Sequence, residues 1–172
     1  FDDSLLRAGG GNRWVLRSGI EKREPPARLR PTVVRRFVPE EVLQSRLGGE
    51  FRDVAPVFVG FRGFGERAEL HRFIAGAVEE SARYGGFLNG LFFGDKGPNL
   101  FVIFGAPVSY ERNTERAAEF VLALRGRYGD AVRAGLTHGR VYAGITGSRR
   151  RCNYTALGST VNLAARLFSA AA

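Results

Sequence analysis

Residues 154–166 read Tyr-Thr-Ala-Leu-Gly-Ser-Thr-Val-Asn-Leu-Ala-Ala-Arg, and this stretch holds the side chains best suited to chemistry. A turn closing on Gly158 is expected to lead into a helix carrying Asn162 and Arg166. Their four-residue spacing sets both on one helix face. An amide and a guanidinium fork aimed the same way suit a sugar and a phosphate, because Arg grips phosphate oxygens through two parallel N–H donors. Other reactive side chains are sparse. His71 and His138 are the two histidines and Cys152 is the single cysteine. They lie too far apart to suggest a catalytic triad or a zinc cluster. A lone cysteine excludes an internal disulfide and fits a reducing compartment. His138, before Gly139, reads as a hairpin-tip residue, and His71 as a solvent-facing one.

The elements that must position these residues are legible from periodicity. Residues 1–50 read as a linker or N-terminal extension: Gly9–Gly11 run together, and Pro25, Pro26, Pro31 and Pro39 punctuate a charged stretch. A strand at Trp14–Leu16 and a short helix from Glu40 to Leu47 are expected within it. Residues 51–172 read as the folded domain. Val57–Val59 form a short apolar strand, and a helix over about 66–84 shows a stripe of Leu70, Phe73, Ile74, Ala77 and Val78. Phe87–Phe93 and Leu100–Phe104 read as a hairpin, with Phe92, Phe93, Phe101 and Phe104 in a buried pattern. A second helix spans about 114–128, a second hairpin (131–136 and 140–145) turns at His138-Gly139, and the Asn162/Arg166 helix follows. This order implies an α+β sandwich, with helices packed on an antiparallel-rich sheet.

Composition narrows the function less. The net charge of +9 is carried almost wholly by Arg and is spread along the chain. Such a balance serves a nucleotide as well as a nucleic acid. No ribonucleoprotein motif accompanies the strand aromatics, so nucleic acid is not the expected partner. There is no apolar run of membrane-spanning length and no signal pattern. No membrane partner and a cytoplasmic location are therefore expected. The chain opens at Phe1 and contains no Met, and reads as part of a longer polypeptide.

Four blocks, in order, resemble the class III adenylate and guanylate cyclases. Val54–Phe64 is similar to their V-x-V-x-F-x-D-I-x-G-F, and Gly85–Pro107 to G-G…K-F-x-G-D…F-G-A-P. Val132–Ser148 is similar to V-R-x-G-I-x-x-G-x-V-x-x-G-x-x-G-S, and Tyr154–Arg166 to Y-T-x-x-G-x-x-V-N-x-A-A-R. The resemblance implies a ferredoxin-like, palm-type domain, with the C-terminal part of that fold lying beyond this chain. It also implies an active site shared between two such domains, where ATP becomes cyclic AMP and pyrophosphate. One half brings two Asp residues that hold Mg or Mn. The other brings base-reading residues, an Asn for the ribose and an Arg for the α-phosphate.

Residue by residue, this chain resembles the second kind of half. Asn162 and Arg166 match the catalytic pair, and Thr155 with the Ala156 backbone matches the nucleotide-binding position in its adenine-reading form. Gly60 replaces the first metal Asp, and Asp95 stands near the second as a vestige. Gly90 takes the place of the Lys that accompanies the base-reading residue, with Lys96 a few residues on. The run 89–97 is most like the second, non-metal half of tandem soluble adenylate cyclases. The resemblance therefore implies that this chain alone binds no metal, that Mg or Mn comes with the partner half, and that the isolated domain is inactive. The partner would be another cyclase domain, in a homo- or heterodimer or upstream in the same polypeptide. An inactive cyclase-homology domain acting as a nucleotide-binding or dimerising regulator is the alternative.

Overall fold

The structure is a computed structural model, and it describes residues 6–9, 13–16, 31–35, 38, 40–44, 48–94, 97–148 and 152–171. The chain divides into two compact units, Phe1–Val38 and Pro39–Ala172. In the first, β1 (Leu6–Gly9) and β2 (Arg13–Leu16) pair antiparallel, and α1 (Pro31–Val34) follows.

The second unit starts with α2 (Glu40–Gln44) and a long strand, β3 (Glu50–Phe61). Then come α3 (Arg67–Arg83), β4 (Gly86–Gly94), β5 (Gly97–Phe104), α4 (Asn113–Tyr128) and β6 (Val132–Leu136). A further strand pair, β7 (Gly139–Gly147) and β8 (Cys152–Leu157), leads into α5 (Ser159–Ala170). The segment β3-α3-β4-β5-α4-β6 is a βαββαβ unit. Its strands stand in the order β4-β5-β3-β6, each pair antiparallel. That is the ferredoxin-like arrangement.

Strand alternation gives this sheet two faces. Val57, Val59 and Phe61 of β3 and Leu100, Val102 and Phe104 of β5 turn toward α3 and α4, which contribute Phe73, Ala77, Ala117, Phe120 and Leu124 to one core cluster. Rings interlock there, Phe61 against Phe73 at 4.8 Å and Phe104 against Phe120 at 5.7 Å between centroids. The intervening residues face the other way. Phe58 stacks on Phe101 at 4.5 Å, and α5 lies across this second face.

Three expectations need correction. The first strand is not confined to Val57–Val59, since β3 runs for 12 residues. Its first half, Glu50–Val54, pairs with β7, and its second half lies between β5 and β6. The hairpin expected at His138-Gly139 is absent. β6 and β7 run in the same direction against β3 in one unbroken register, from Val57↔Leu136 to Val54↔Gly139. The Thr137 N–H donates to the Pro56 carbonyl at 3.3 Å between them. Gly139 provides clearance rather than a reversal, because a Cβ there would meet the Thr160 side chain of α5. The reversal comes after Gly147, where β7 pairs with β8, a strand absent from the sequence reading. Finally, Phe92 and Phe93 are 47% and 65% exposed, whereas Phe101 and Phe104 are buried. β4 stands at the end of the strand order among the described residues, and Phe93 meets the Phe61 ring edge-on at 6.4 Å while staying largely open.

Candidate functional site

The site is built around α5, and glycines decide how α5 sits. Thr160, Ala164 and Phe168 recur every fourth residue on the face toward the sheet, where Ala164 and Phe168 are buried. Below them lie Gly139, Gly135 and Gly60. A Cβ on Gly135 would strike the Ala164 carbonyl oxygen and the Phe168 backbone nitrogen, so the helix can approach this closely only over glycine. The Thr137 hydroxyl donates to the Thr160 carbonyl at 2.9 Å and pins the first turn.

Asn162 and Arg166 stand on the opposite face of α5, both exposed. Neither side chain has a hydrogen bond or ion pair among the described residues. Leu163 and Leu167 accompany them at 51% and 45% exposure. The result is a helix face with an amide, a guanidinium and two leucines open to solvent. It is not a closed pocket. The cavity of about 570 Å³ beside Phe61, Arg62, Val132 and Arg133 includes none of Asn162, Arg166 or Thr155.

β8 holds Thr155 and Ala156, the residues expected to contact a nucleotide. Ala156 is buried opposite Ala143, and Thr155 is half-buried opposite Gly144. Although β4 and β8 stand at opposite ends of the strand order, they meet here. The Thr155 hydroxyl donates to Asn89 Oδ1 at 3.2 Å, and Asn89 Nδ2 donates to the Tyr154 carbonyl at 2.6 Å. The Tyr154 ring packs edge-on against Phe87 at 5.6 Å. The sequence reading passed over Asn89 in favour of its neighbour Gly90. Along β4, Leu88 faces Val102 and Gly90 faces Phe101, so Asn89 is the extra residue of a β-bulge. A bulge re-aims the side chain it carries. The available signal was a polar Asn within Phe-Leu-Asn-Gly-Leu-Phe-Phe. Gly90 itself lies beneath the Phe92 ring, where a Cβ would be crowded.

Burial pushes the Tyr154 phenol above its ordinary 10.0, outweighing the pull of Arg52, while Glu50 adds to the rise. The folded chain therefore keeps a proton that the unfolded chain releases above pH 10.0. Folding stability should fall as pH rises past 10.0. Alkaline thermal melts should show this fall, and Tyr154→Phe should reduce it. Equal slopes in the two proteins would contradict the assignment.

The residues at position 60 do not fit a divalent metal. Gly60 offers no side-chain ligand, and hard cations require carboxylate or carbonyl oxygens. A Cβ added to Gly60 would run into the ring of Phe168. The Arg133 guanidinium, cross-strand from Gly60, lies 4.8 Å from the centre of that ring. An aromatic ring and a cation thus occupy the space in which an Asp would project. Among the described residues there is no cluster of three or more His, Cys, Asp or Glu able to hold a metal. Asp95 and Lys96 lie outside the described residues. Cys152 is an exposed free thiol, and His71 and His138 are exposed.

Solved structures share this architecture. The adenylyl cyclase CyaB from P. aeruginosa superposes with a TM-score of 0.64 at 24% identity, covering 73% of this chain and 76% of that one. The guanylyl cyclase Cya2 gives 0.57 at 24% identity, covering 73% of each chain. No protein-family profile matches the chain. An uncharacterized protein of Mycobacterium tuberculosis (strain ATCC 25618 / H37Rv) is 34% identical over 139 residues, which are 72% of this chain and 25% of that protein. The chain thus spans about a quarter of the length of the curated relatives it matches. The second unit is an α+β domain of the ferredoxin-like kind. Its antiparallel sheet, added β7–β8 pair and α5 give it the fold of the class III adenylyl and guanylyl cyclases. No helix among the described residues is long and apolar enough to cross a membrane.

Proposed function

We propose that this domain is one half-site of a nucleotide cyclase. It would convert ATP to cyclic AMP and pyrophosphate across an interface with a metal-bearing cyclase domain, in a second chain or upstream in the same polypeptide. The observation that carries this reading is the outward face of α5. Asn162 and Arg166 stand there without partners among the described residues, beside two exposed leucines. Exposed apolar side chains around unpaired polar ones are what a surface completed by another domain presents.

In this reaction the ribose 3′-oxygen attacks the α-phosphorus, the bond to pyrophosphate breaks, and the 3′-proton is released. Arg166 donates to the α-phosphate oxygens as negative charge builds on them. Asn162 orients the ribose, and Thr155 with the Ala156 backbone holds the purine. Mg or Mn would be held by carboxylates of the partner domain, where it would supply activation of the 3′-hydroxyl and neutralisation of phosphate charge. This chain is proposed to bind none, in keeping with the Phe168 ring over Gly60.

Residues 1–172 alone are therefore expected to form no cyclic AMP from ATP with manganese. Robust metal-dependent turnover by this chain in isolation would overturn the half-site reading. Gly60 under Phe168 and Gly90 under Phe92 also favour a second reading, an inactive module that binds nucleotide or dimerises as a regulator. Nucleotide binding without turnover in a complete two-domain assembly would select it.

A further inference from the structure

The contact between Asn89 and β8 has a fixed polarity. A backbone carbonyl only accepts hydrogen bonds, so the Asn89 amide must turn its NH₂ toward Tyr154, 2.6 Å away. Its Oδ1 then faces Thr155, and an amide oxygen also only accepts. The Thr155 hydroxyl must spend its single proton on Asn89, at 3.2 Å. Oγ1 is left with lone pairs alone for any ligand. Asn89 keeps a second Nδ2 proton that no hydrogen bond among the described residues uses. The pair thus presents one acceptor and one donor, with their order set by the backbone.

The Watson–Crick edges of the two purines answer this pattern differently. Adenine offers an amino donor at N6 and an acceptor at N1. Guanine offers an acceptor at O6 and a donor at N1. Thr155 Oγ1 accepts from the adenine N6 amino group and faces a repelling lone pair at guanine O6. The free Asn89 proton donates to adenine N1 and meets a second proton at guanine N1.

We infer that Asn89 is a specificity-determining residue of this half-site, selecting adenine over guanine by fixing the direction of the Thr155 hydroxyl. The inference rests on the nucleotide reading of the site given above. The β-bulge in β4 is what brings Asn89, rather than residue 90, to Thr155. The arrangement needs no lysine at position 90.

The test is a titration of residues 1–172 with 5′-AMP and 5′-GMP, followed by NMR at the Thr155 methyl and the Asn89 side-chain amide. AMP should bind at least about tenfold more tightly than GMP, the scale of one or two hydrogen bonds made or opposed. Asn89→Leu frees the hydroxyl to donate, and Thr155→Val removes it. Asn89→Leu should bring the AMP-to-GMP ratio close to unity. Thr155→Val should lower it only part of the way, because the Tyr154 carbonyl still orients the Asn89 donor. The double variant should match Asn89→Leu, because both changes act on one network. The ratio is the readout, since a merely structural Asn89 would weaken both nucleotides alike. AMP preference that persists in folded Asn89→Leu overturns the Asn89 inference and leaves the half-site reading standing. If neither nucleotide perturbs residues 89 and 155, the nucleotide reading of this surface falls, and the inference with it.

Discussion

Replacing Arg166 with alanine is expected to lower cyclic AMP formation by the completed two-domain enzyme about 10²–10³-fold, the usual effect of losing one preorganised donor to a charge that develops in the transition state. Folding should be almost unaffected. Arg166 is exposed and has no hydrogen bond or ion pair among the described residues, and such surface changes usually stay within about 0.5 kcal/mol. The two readouts separate a catalytic role from a structural one. Arg166→Lys should recover only part of the loss, because an ammonium is a point charge without the planar fork that grips two phosphate oxygens. An Arg166→Ala enzyme that kept its turnover would remove Arg166 from the mechanism.

The second large effect concerns what holds α5 in place. Gly135→Ala is expected to destabilise the domain at the upper end of the about 1–3 kcal/mol typical of overpacking. The atoms a Cβ would strike are the Ala164 carbonyl oxygen and the Phe168 backbone nitrogen, which cannot yield without moving the helix. Gly60→Ala should cost less, because its obstacle is a side chain, the Phe168 ring. Phe168→Leu should therefore partly relieve Gly60→Ala, so that the double variant costs less than the sum of the singles. The same change should leave Gly135→Ala unrelieved. Thermal melts of the five proteins, with the parent as reference, measure both couplings. A silent Gly135→Ala would mean that α5 does not sit against β6 as described. Because α5 also carries Asn162 and Arg166, a displaced helix should cost nucleotide binding as well.

Some of this was readable in the residues before any fold was known. α3 and α4 show a helical stripe because each packs one side on a single sheet, so Phe73, Ala77 and Leu124 recur with the helix period. The placement of Asn162 and Arg166 on one face of α5 was legible for a related reason, since a four-residue spacing has one meaning on a helix. Val78 marks the limit of that reading, because it continues the α3 stripe yet is 37% exposed at the margin of the buried face.

What escaped the sequence depends on contacts between distant segments. His138-Gly139 reads as a turn because glycine commonly serves turns, but here it clears a path for Thr160. Gly60 reads as a missing ligand, and only the packing of α5 shows that Phe168 has taken its space. Asn89 was passed over because the bulge that aims it arises from the register of β4 against β5, which no local pattern records. β8 went unread because its six residues run directly into the helix motif and share its signature.

The half-site claim is tested most directly by mixing residues 1–172 with a cyclase domain that keeps its two metal-binding Asp residues but lacks its own Asn and Arg. Turnover can then arise only at a hybrid site. Manganese-dependent cyclic AMP formation that needs both proteins, and is lost when this chain carries Arg166→Ala, is the expected result. A folded, stable complex of the two that binds ATP and forms no cyclic AMP would contradict it.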